Sequence, residues 1–115
     1  MTLDEFRLEM DSYWRSVDEE ARSLKDPHIA LERLLALYRK FDAGERQMAD
    51  QVLNEWALEK SEGRRSYALA LIGDLKIVTA MPALQELAQR FAASSAPGAA
   101  DEREIVERVI AELKE

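Results

Sequence analysis

Apolar residues recur along this chain at intervals of three and four, and this spacing constrains the fold more than any other feature. Residues at these intervals share one face of an α-helix, because the helix repeats every 3.6 residues. The spacing therefore predicts an amphipathic helix over residues 2 to 24, with Thr2 and Glu5 at capping-box positions. Its stripe consists of Leu3, Phe6, Met10, Tyr13, Trp14, Val17, Ala21 and Leu24.

The same periodicity returns in five later segments that are separated by turn-forming residues. We predict helices over about 27 to 41, 45 to 60, 64 to 75, 78 to 93 and 101 to 115. Asp26 and Pro27 suit the start of the second helix, and Asp101 and Glu104 have capping-box spacing at the start of the sixth. Two triplets, Asp42-Ala43-Gly44 and Ser61-Glu62-Gly63, are expected to break the chain on either side of the third helix.

The fourth helix is apolar nearly all round, which is typical of a central helix. Gly73 would permit close helix packing there or help to end the helix. A short buried strand is the alternative, but the alanines and the lack of a second strand-like segment disfavour it. Pro82 is tolerated only in a first helical turn, so the regular part of the fifth helix is expected to begin near Met81.

The helices also match one another in pairs. A shift of thirty-five residues lays the third helix on the fifth, so that Trp56 meets Phe91, and a shift of forty-one lays the fourth on the sixth. Two-helix units that repeat at about 40 residues are typical of α-solenoids. We therefore predict an all-α fold of about six helices, stacked as antiparallel pairs in a single domain over residues 1–115.

Two short runs, Ala70-Leu71-Ile72-Gly73-Asp74 and Met81-Pro82-Ala83-Leu84, resemble the signature of HEAT repeats. In that family the first helix of a repeat ends in Leu-Gly-Asp and the second begins with Pro-Ala-Leu. The resemblance implies a short HEAT-like superhelix that acts as a scaffold, and such scaffolds serve many roles. Seven residues separate Asp74 from Pro82, more than in the usual HEAT turn, so either the fifth helix starts early or the turn is enlarged.

The composition excludes several kinds of chemistry for this chain. The chain has no cysteine, so disulfides, thiolate catalysis and zinc sites that need sulfur are excluded. Its formal net charge of −7 disfavours nucleic acid and favours a basic partner. The acidic start of the sequence is unlike a secretory signal, and no apolar run has the length of a membrane span. We expect a cytoplasmic protein that has no membrane association.

No motif for catalysis, a metal or a cofactor is present in the sequence. The single histidine, His28, could be a base or a ligand, but its place in a first helical turn favours an ordinary surface residue. Trp14 and Trp56 lie within apolar stripes, so core packing is favoured over ligand stacking. The carboxylates lie on the polar sides of helices, where they would be solvated. We predict a protein that is not an enzyme and needs neither cofactor nor metal.

Arg64 and Arg65, with Lys60 upstream, form the densest basic patch. They could contact phosphate or an acidic partner. The other interpretation is that these arginines lie in an exposed loop or pair with the nearby Glu59 and Glu62.

In HEAT-like stacks the second helices of successive pairs line the concave side, which here would be the third and fifth helices. The resemblance therefore implies that their polar sides form the binding surface. Under the thirty-five-residue shift these sides match as a ladder of amides and carboxylates, which would suit a positively charged protein. The ladder consists of Asp50, Gln51 and Asn54 on the third helix and Gln85, Glu86 and Gln89 on the fifth.

Three functional hypotheses follow. The first is a non-enzymatic protein-interaction module with a basic partner, for example an adaptor or an immunity protein that neutralises a toxin. The second is a HEAT-like protein that binds or processes nucleic acid, which rests on Lys60, Arg64 and Arg65. The third is self-association as a homodimer, through an apolar patch of the first helix around Tyr13 and Trp14.

Overall fold

The computed structural model describes residues 2–59 and 62–115, and these residues contain helices and turns but no strand. The all-α prediction is therefore confirmed. The described elements are α1 (Leu3–Ser23), α2 (Pro27–Lys40), α3 (Ala43–Ala57), α4 (Glu62–Leu75), a 3-10 helix (Val78–Ala80), α5 (Met81–Ala93) and α6 (Ala99–Lys114).

The chain divides into two compact units, which we call unit 1 (Met1–Val52) and unit 2 (Leu53–Glu115). In unit 1, α1 packs against α2. In unit 2, α6 packs against both α5 and α4, and the 3-10 helix packs against the start of α5. The helices thus pack in neighbouring pairs inside each unit.

Side-chain caps fix the starts of the first two helices as predicted. The backbone N–H of Glu5 donates to Thr2 Oγ1 at 3.2 Å, and the Glu5 carboxylate accepts from the Thr2 backbone, which completes the capping box. Asp26 Oδ1 accepts from the backbone N–H of His28 at 3.0 Å, with Pro27 in the first helical turn.

The helices are interrupted near both predicted breaks, but two residues of each triplet lie inside the following helix. Asp42 does not end α2 but caps α3: the Glu45 N–H donates to Asp42 Oδ1 at 2.8 Å, and the Asp42 N–H donates to Glu45 Oε1 at 3.1 Å. Ala43 and Gly44 therefore form the first turn of α3. At its other end α3 stops at Ala57, earlier than expected, and the next helix starts at Glu62. Lys60, Ser61 and the side chain of Glu62 lie outside the described residues.

The predicted start of the sixth helix is also corrected. Its N-cap is Gly98, which adopts a left-handed conformation with φ of 82° and makes no side-chain cap, and α6 begins at Ala99. Asp101 and Glu102 then lie in the first turn, where the helix dipole favours negative charge. Their acidic character, rather than a capping box, explains the pattern in the sequence.

The residues of the predicted apolar stripes are buried or partly buried, and only two of them are exposed. Leu24 is 59% exposed because α1 ends before it, and Ile105 is 43% exposed on α6. In unit 1 the buried apolar side chains are Phe6, Met10, Val17, Ala21, Ala30, Leu34, Ala49 and Val52. In unit 2 they include Leu53, Trp56, Leu69, Leu71, Ile72, Leu84, Leu87, Val106, Val109 and Leu113.

Lysines, rather than glycines, occupy the left-handed position after two of the helices. Lys25 follows α1 with φ of 55°, and Lys76 follows α4 with φ of 52°. In each case the residue after the lysine donates its N–H back into the helix, from Asp26 to Ala21 O at 2.9 Å and from Ile77 to Ile72 O at 3.1 Å. This 6→1 bond is the Schellman arrangement, which usually favours glycine.

The turn between α4 and α5 is enlarged, which is one of the two expected explanations for the long spacing. After Lys76 the chain forms the 3-10 helix, and α5 begins at Met81 as predicted. Ile77 and Ala80 are buried. Gly73 lies inside α4, where an added Cβ would be 2.6 Å from Glu112 Oε2 and 3.8 Å from Val109 Cγ1 of α6. Gly73 therefore does not end the helix, and an added Cβ would meet mainly the flexible end of the Glu112 side chain.

Candidate interaction surfaces

Arg65 is a buried part of unit 2, with only 7% of its surface exposed. Its Nη1 donates to the backbone oxygen of Glu59 at 3.1 Å, and its Nη2 lies 3.5 Å from Glu102 Oε2. The guanidinium carbon lies 5.2 Å from the centre of the Phe91 ring, within the range of a cation–π contact. One arginine thus links the end of α3, α5 and α6.

Arg64 is partly buried and also has its partners within unit 2. Its Nε donates to Glu59 Oε2 at 3.0 Å, and its Nη2 donates to the second oxygen of the same carboxylate. Its guanidinium carbon lies 5.1 Å from the centre of a ring of Trp56, which is itself buried. Pairing with Glu59 is therefore confirmed, whereas the exposed loop is wrong because both arginines belong to α4. Trp56 packs in the core, as predicted.

The predicted ladder residues of α3 differ in their exposure. Gln51 is exposed, whereas Asp50 and Asn54 are partly buried. Asn54 Nδ2 donates to the backbone oxygen of Thr79 at 3.5 Å, while its Oδ1 is buried and accepts no hydrogen bond from the described residues. Asn54 therefore ties α3 to the 3-10 helix within unit 2.

The ladder residues of α5, Gln85, Glu86 and Gln89, are all exposed. Glu86 Oε1 accepts a hydrogen bond from Arg90 Nη2 at 3.2 Å, and Arg90 Nη1 donates to the backbone oxygen of Leu58 at 3.1 Å. Asp50 and Gln51 lie in unit 1 and the other four residues in unit 2, so the six form two groups, one in each unit.

Asp50 has a specific partner that the sequence did not suggest. The Tyr38 hydroxyl of α2 donates to Asp50 Oδ1 at 2.7 Å, and the guanidinium of Arg46 lies 5.6 Å from the centre of the Tyr38 ring. Burial and this hydrogen bond raise the pKa of Tyr38 to about 12. Burial also raises the pKa of Asp50 above its ordinary value, against the opposing effects of Tyr38 and Arg46.

Unit 1 contains a small pocket of about 130 Å³, which we call the apolar pocket. Its walls come from α1, from α2 with the residue that follows it, and from the first turn of α3. The Phe6 and Phe41 rings in these walls are 5.2 Å apart between centres and tilted by 59°. The described lining residues are Phe6, Glu9, Met10, Tyr13, Leu37, Phe41 and Glu45.

Local bonds hold several walls of the apolar pocket in place. The Tyr13 hydroxyl donates to the backbone oxygen of Arg33 at 3.3 Å, which fixes its ring against α2. The Glu45 carboxylate accepts from the Asp42 backbone through the α3 capping box, while Glu9 is exposed. Among the described lining residues the charged groups are two carboxylates, and none is a cation.

The sequence predicted most of these walls as core and did not identify the apolar pocket. Phe6, Met10 and Tyr13 were visible as a helical stripe, since they follow one another at intervals of four and three. The spacing of Asp42 and Glu45 at the start of α3 was the overlooked signal, because a capping box there brings Glu45 to a fixed position near α2.

A second groove lies between α4 and α6 in unit 2. It combines exposed apolar surface at Ile105 with charged side chains of both signs, among them Asp74, Arg108 and Glu112. The Glu112 carboxylate covers the space above Gly73. This groove therefore has no single charge preference.

The described residues contain no group of three or more His, Cys, Asp or Glu side chains that could hold a metal ion. His28 is exposed at the start of α2, as expected for a surface histidine. Within residues 2–59 and 62–115, no helix has both the length and the apolar character needed to cross a bilayer.

No protein-family model matches the chain, and comparisons with curated proteins and with solved structures gave no significant match.

Proposed function

We propose that the chain is a non-enzymatic protein-interaction module whose partner carries positive charge. The observation that carries this proposal is the formal net charge of −7, to which exposed carboxylates and exposed cations both contribute. The two arginines of the predicted basic patch bind Glu59, Glu102 and aromatic rings within unit 2. Most carboxylates remain at the surface. A basic partner would gain from the resulting field during encounter.

The exposed polar groups of α3 and α5 support this proposal. Gln51, Gln85 and Gln89 present amides that both donate and accept hydrogen bonds, and Glu86 adds a carboxylate. We place Gln51 in a contact surface of unit 1, and Gln85, Glu86 and Gln89 in a contact surface of unit 2, of a HEAT-like scaffold located in the cytoplasm. Roles as an adaptor or as an immunity protein for a basic toxin would both use such surfaces.

The two arginines on which the nucleic-acid hypothesis rested, Arg64 and Arg65, have partners within unit 2. Phosphate binding needs lysine or arginine side chains that are able to leave their other partners. Arg65 is buried, and Arg64 makes a two-oxygen contact with Glu59. Releasing either side chain would disrupt contacts that hold unit 2.

The test is affinity capture from the source cell, followed by measurement of the purified complex at several salt concentrations. The Gln51→Lys and Glu86→Lys double variant should lose the partner, because it adds two positive charges to the proposed contact residues and removes one negative charge. The matched control is Ala111→Lys with Glu115→Lys, which makes the same change in net charge at exposed positions near the end of α6. The control should retain the partner.

Two results would count against the proposal. One is equal capture by both double variants, which would remove the predicted surface from the interface. The other is the absence of any enriched partner together with a measured turnover of a substrate, which would make the protein an enzyme.

A further inference from the structure

The apolar pocket of unit 1 has charge of only one sign among its described lining residues. The other pockets that we describe include an arginine in their walls: Arg103 beside Phe91, Arg108 between α4 and α6, and Arg65 near the 94–98 loop. The apolar pocket instead combines rings, Met10 and Leu37 with the carboxylates of Glu9 and Glu45. Such a pocket complements a group that is apolar along its length and positive at its end.

A metal ion does not have this character. Calcium takes six to eight oxygen ligands and magnesium requires near-ideal octahedral geometry, whereas this pocket offers two carboxylates among apolar walls. An alkylammonium group does fit, because its methylene stem gains from contact with apolar surface while its charge stays near water and carboxylate. The Phe41 and Tyr13 rings would add cation–π attraction where the ammonium passes a ring face.

Of the two long cationic side chains, lysine suits the apolar pocket better. The guanidinium of arginine is a planar fork that matches both oxygens of a single carboxylate. The ammonium of lysine is compact and has three donors, so it can bond two separate carboxylates. Here the two carboxylates come from different helices, α1 and α3, and one Glu45 oxygen already accepts from Asp42. The volume of about 130 Å³ also favours the slimmer side chain.

We propose that the apolar pocket of unit 1 receives a lysine side chain from the partner protein, with its ammonium between Glu9 and Glu45. This inference rests on the proposed function, since it supplies the anchoring contact of the same basic partner. It adds a second contact region, on α1 and α2, to the polar residues of α3 and α5.

The direct test is an NMR titration of the full chain with the peptide acetyl-Gly-Lys-Gly-amide. Amide shifts should be saturable and centred on the residues that line the apolar pocket. The matched peptide with norleucine in place of lysine keeps the four-carbon stem but lacks the ammonium, and we expect it to bind about fivefold more weakly. Free n-butylammonium serves as a third probe and should bind more weakly than the lysine peptide.

Charge-removing variants locate the contact. Glu9→Gln and Glu45→Gln should each weaken binding of the lysine peptide about threefold, and the double variant about tenfold. Glutamine at position 45 keeps an oxygen for the α3 capping box, so helix content by circular dichroism should be unchanged. Glu19→Gln is the control, because it removes one exposed carboxylate of α1 that does not line the pocket.

Two binding results would overturn the inference: the norleucine peptide binds as tightly as the lysine peptide, or the Glu9→Gln and Glu45→Gln double variant binds the lysine peptide as tightly as the wild type. A third is no saturable shift up to about 50 mM peptide, which means that binding is weaker than millimolar. Tighter binding of n-butylammonium than of the peptide would assign the site to a small amine instead. If the double variant still captures the partner at wild-type yield, the pocket inference fails while the proposed function stands. If the peptide binds while no partner is enriched and a substrate is turned over, the pocket binds lysine but the proposed function fails.

Discussion

Each unit places a guanidinium over an aromatic ring, Arg46 over Tyr38 in unit 1 and Arg65 over Phe91 in unit 2, but only the cation of unit 2 is buried. In unit 2 a cation is buried against a ring: Arg65 lies over Phe91 and reaches Glu59 and Glu102. In unit 1 the Phe6 and Phe41 rings border a pocket whose charged walls are negative and lie near the surface. The cation of unit 2 satisfies its partners internally and so stabilises the fold. The Glu9 and Glu45 carboxylates that line the pocket of unit 1 would be able to bond a ligand.

The strongest test of this contrast is Arg65→Ala. It removes a buried guanidinium with three kinds of contact and leaves Glu102 without its cation, so we expect a loss of about 3 kcal/mol in the free energy of unfolding. Urea denaturation followed by circular dichroism measures the change. Arg103→Ala is the control, since its pair with Glu107 is half exposed and should contribute less than about 0.5 kcal/mol. Similar losses for the two variants would contradict a structural role for Arg65.

A smaller effect is expected from Tyr38→Phe in unit 1. The substitution keeps the ring beside Arg46 but leaves the partly buried Asp50 carboxylate without the hydroxyl that donates to it. We expect a loss of about 1 kcal/mol in the free energy of unfolding, measured in the same way. Asp50→Asn in the Tyr38→Phe background should then add little, because the two groups act as a pair. A full additive loss would show that the bond contributes nothing.

The same bond predicts a pH dependence in unit 1. The pKa of Tyr38 rises from 10.0 to about 12 on folding, so the folded chain holds this proton more tightly than the unfolded chain. The stabilisation is therefore complete below about pH 10 and is lost as the pH rises towards 12. Unfolding measured from pH 9 to 12 should show the advantage of the wild type over Tyr38→Phe becoming smaller. A constant difference over this range would be inconsistent with a Tyr38 pKa that burial and the hydrogen bond raise to about 12.

Lys25 and Lys76 allow the two units to be compared at equivalent backbone positions. Each lysine follows a helix and has a positive φ. For a residue with a Cβ, this conformation is less favourable than for glycine by about 1 kcal/mol of folding free energy. Lys25→Gly in unit 1 and Lys76→Gly in unit 2 should each raise stability by somewhat less than this, because glycine also loses more entropy on folding. Thermal melts of both variants measure the effect. Gly98→Ala, at φ of 82°, should change stability in the opposite direction.

The sequence was informative where a structure depends on nearby residues. The capping boxes and stripes need partners three or four positions away, so Thr2, Asp26 and the face of α1 could be predicted. Predictions of helix starts from nearby residues were less accurate where two local patterns were present together. Ala43 and Gly44 resembled a break but lie within the capped first turn of α3. The spacing of Asp101 and Glu104 resembled a capping box, but the N-cap residue of α6 is Gly98, which makes no side-chain cap.

The surfaces were less predictable because they depend on residues that are distant in the chain. Nothing near Arg65 in the sequence indicates that Glu102 and Phe91 will surround it. Likewise, Asp50 resembled a solvated acid until α2 brought the Tyr38 hydroxyl to it. The apolar pocket also requires the side-by-side packing of α1 and α2, which periodicity indicates only as two separate stripes.

The enlarged turn between α4 and α5 has a practical consequence for engineering the chain. Ile77 and Ala80 are buried there, and Thr79 holds Asn54 through its backbone oxygen, so an inserted tag or a new chain terminus at this point would displace core. The stretch from Ala92 to Gly98 is exposed throughout. Insertions and circular permutations succeed mainly at exposed sites of this kind. Labels for partner capture are therefore best inserted near Ser95, where they leave the residues of both proposed contact regions intact.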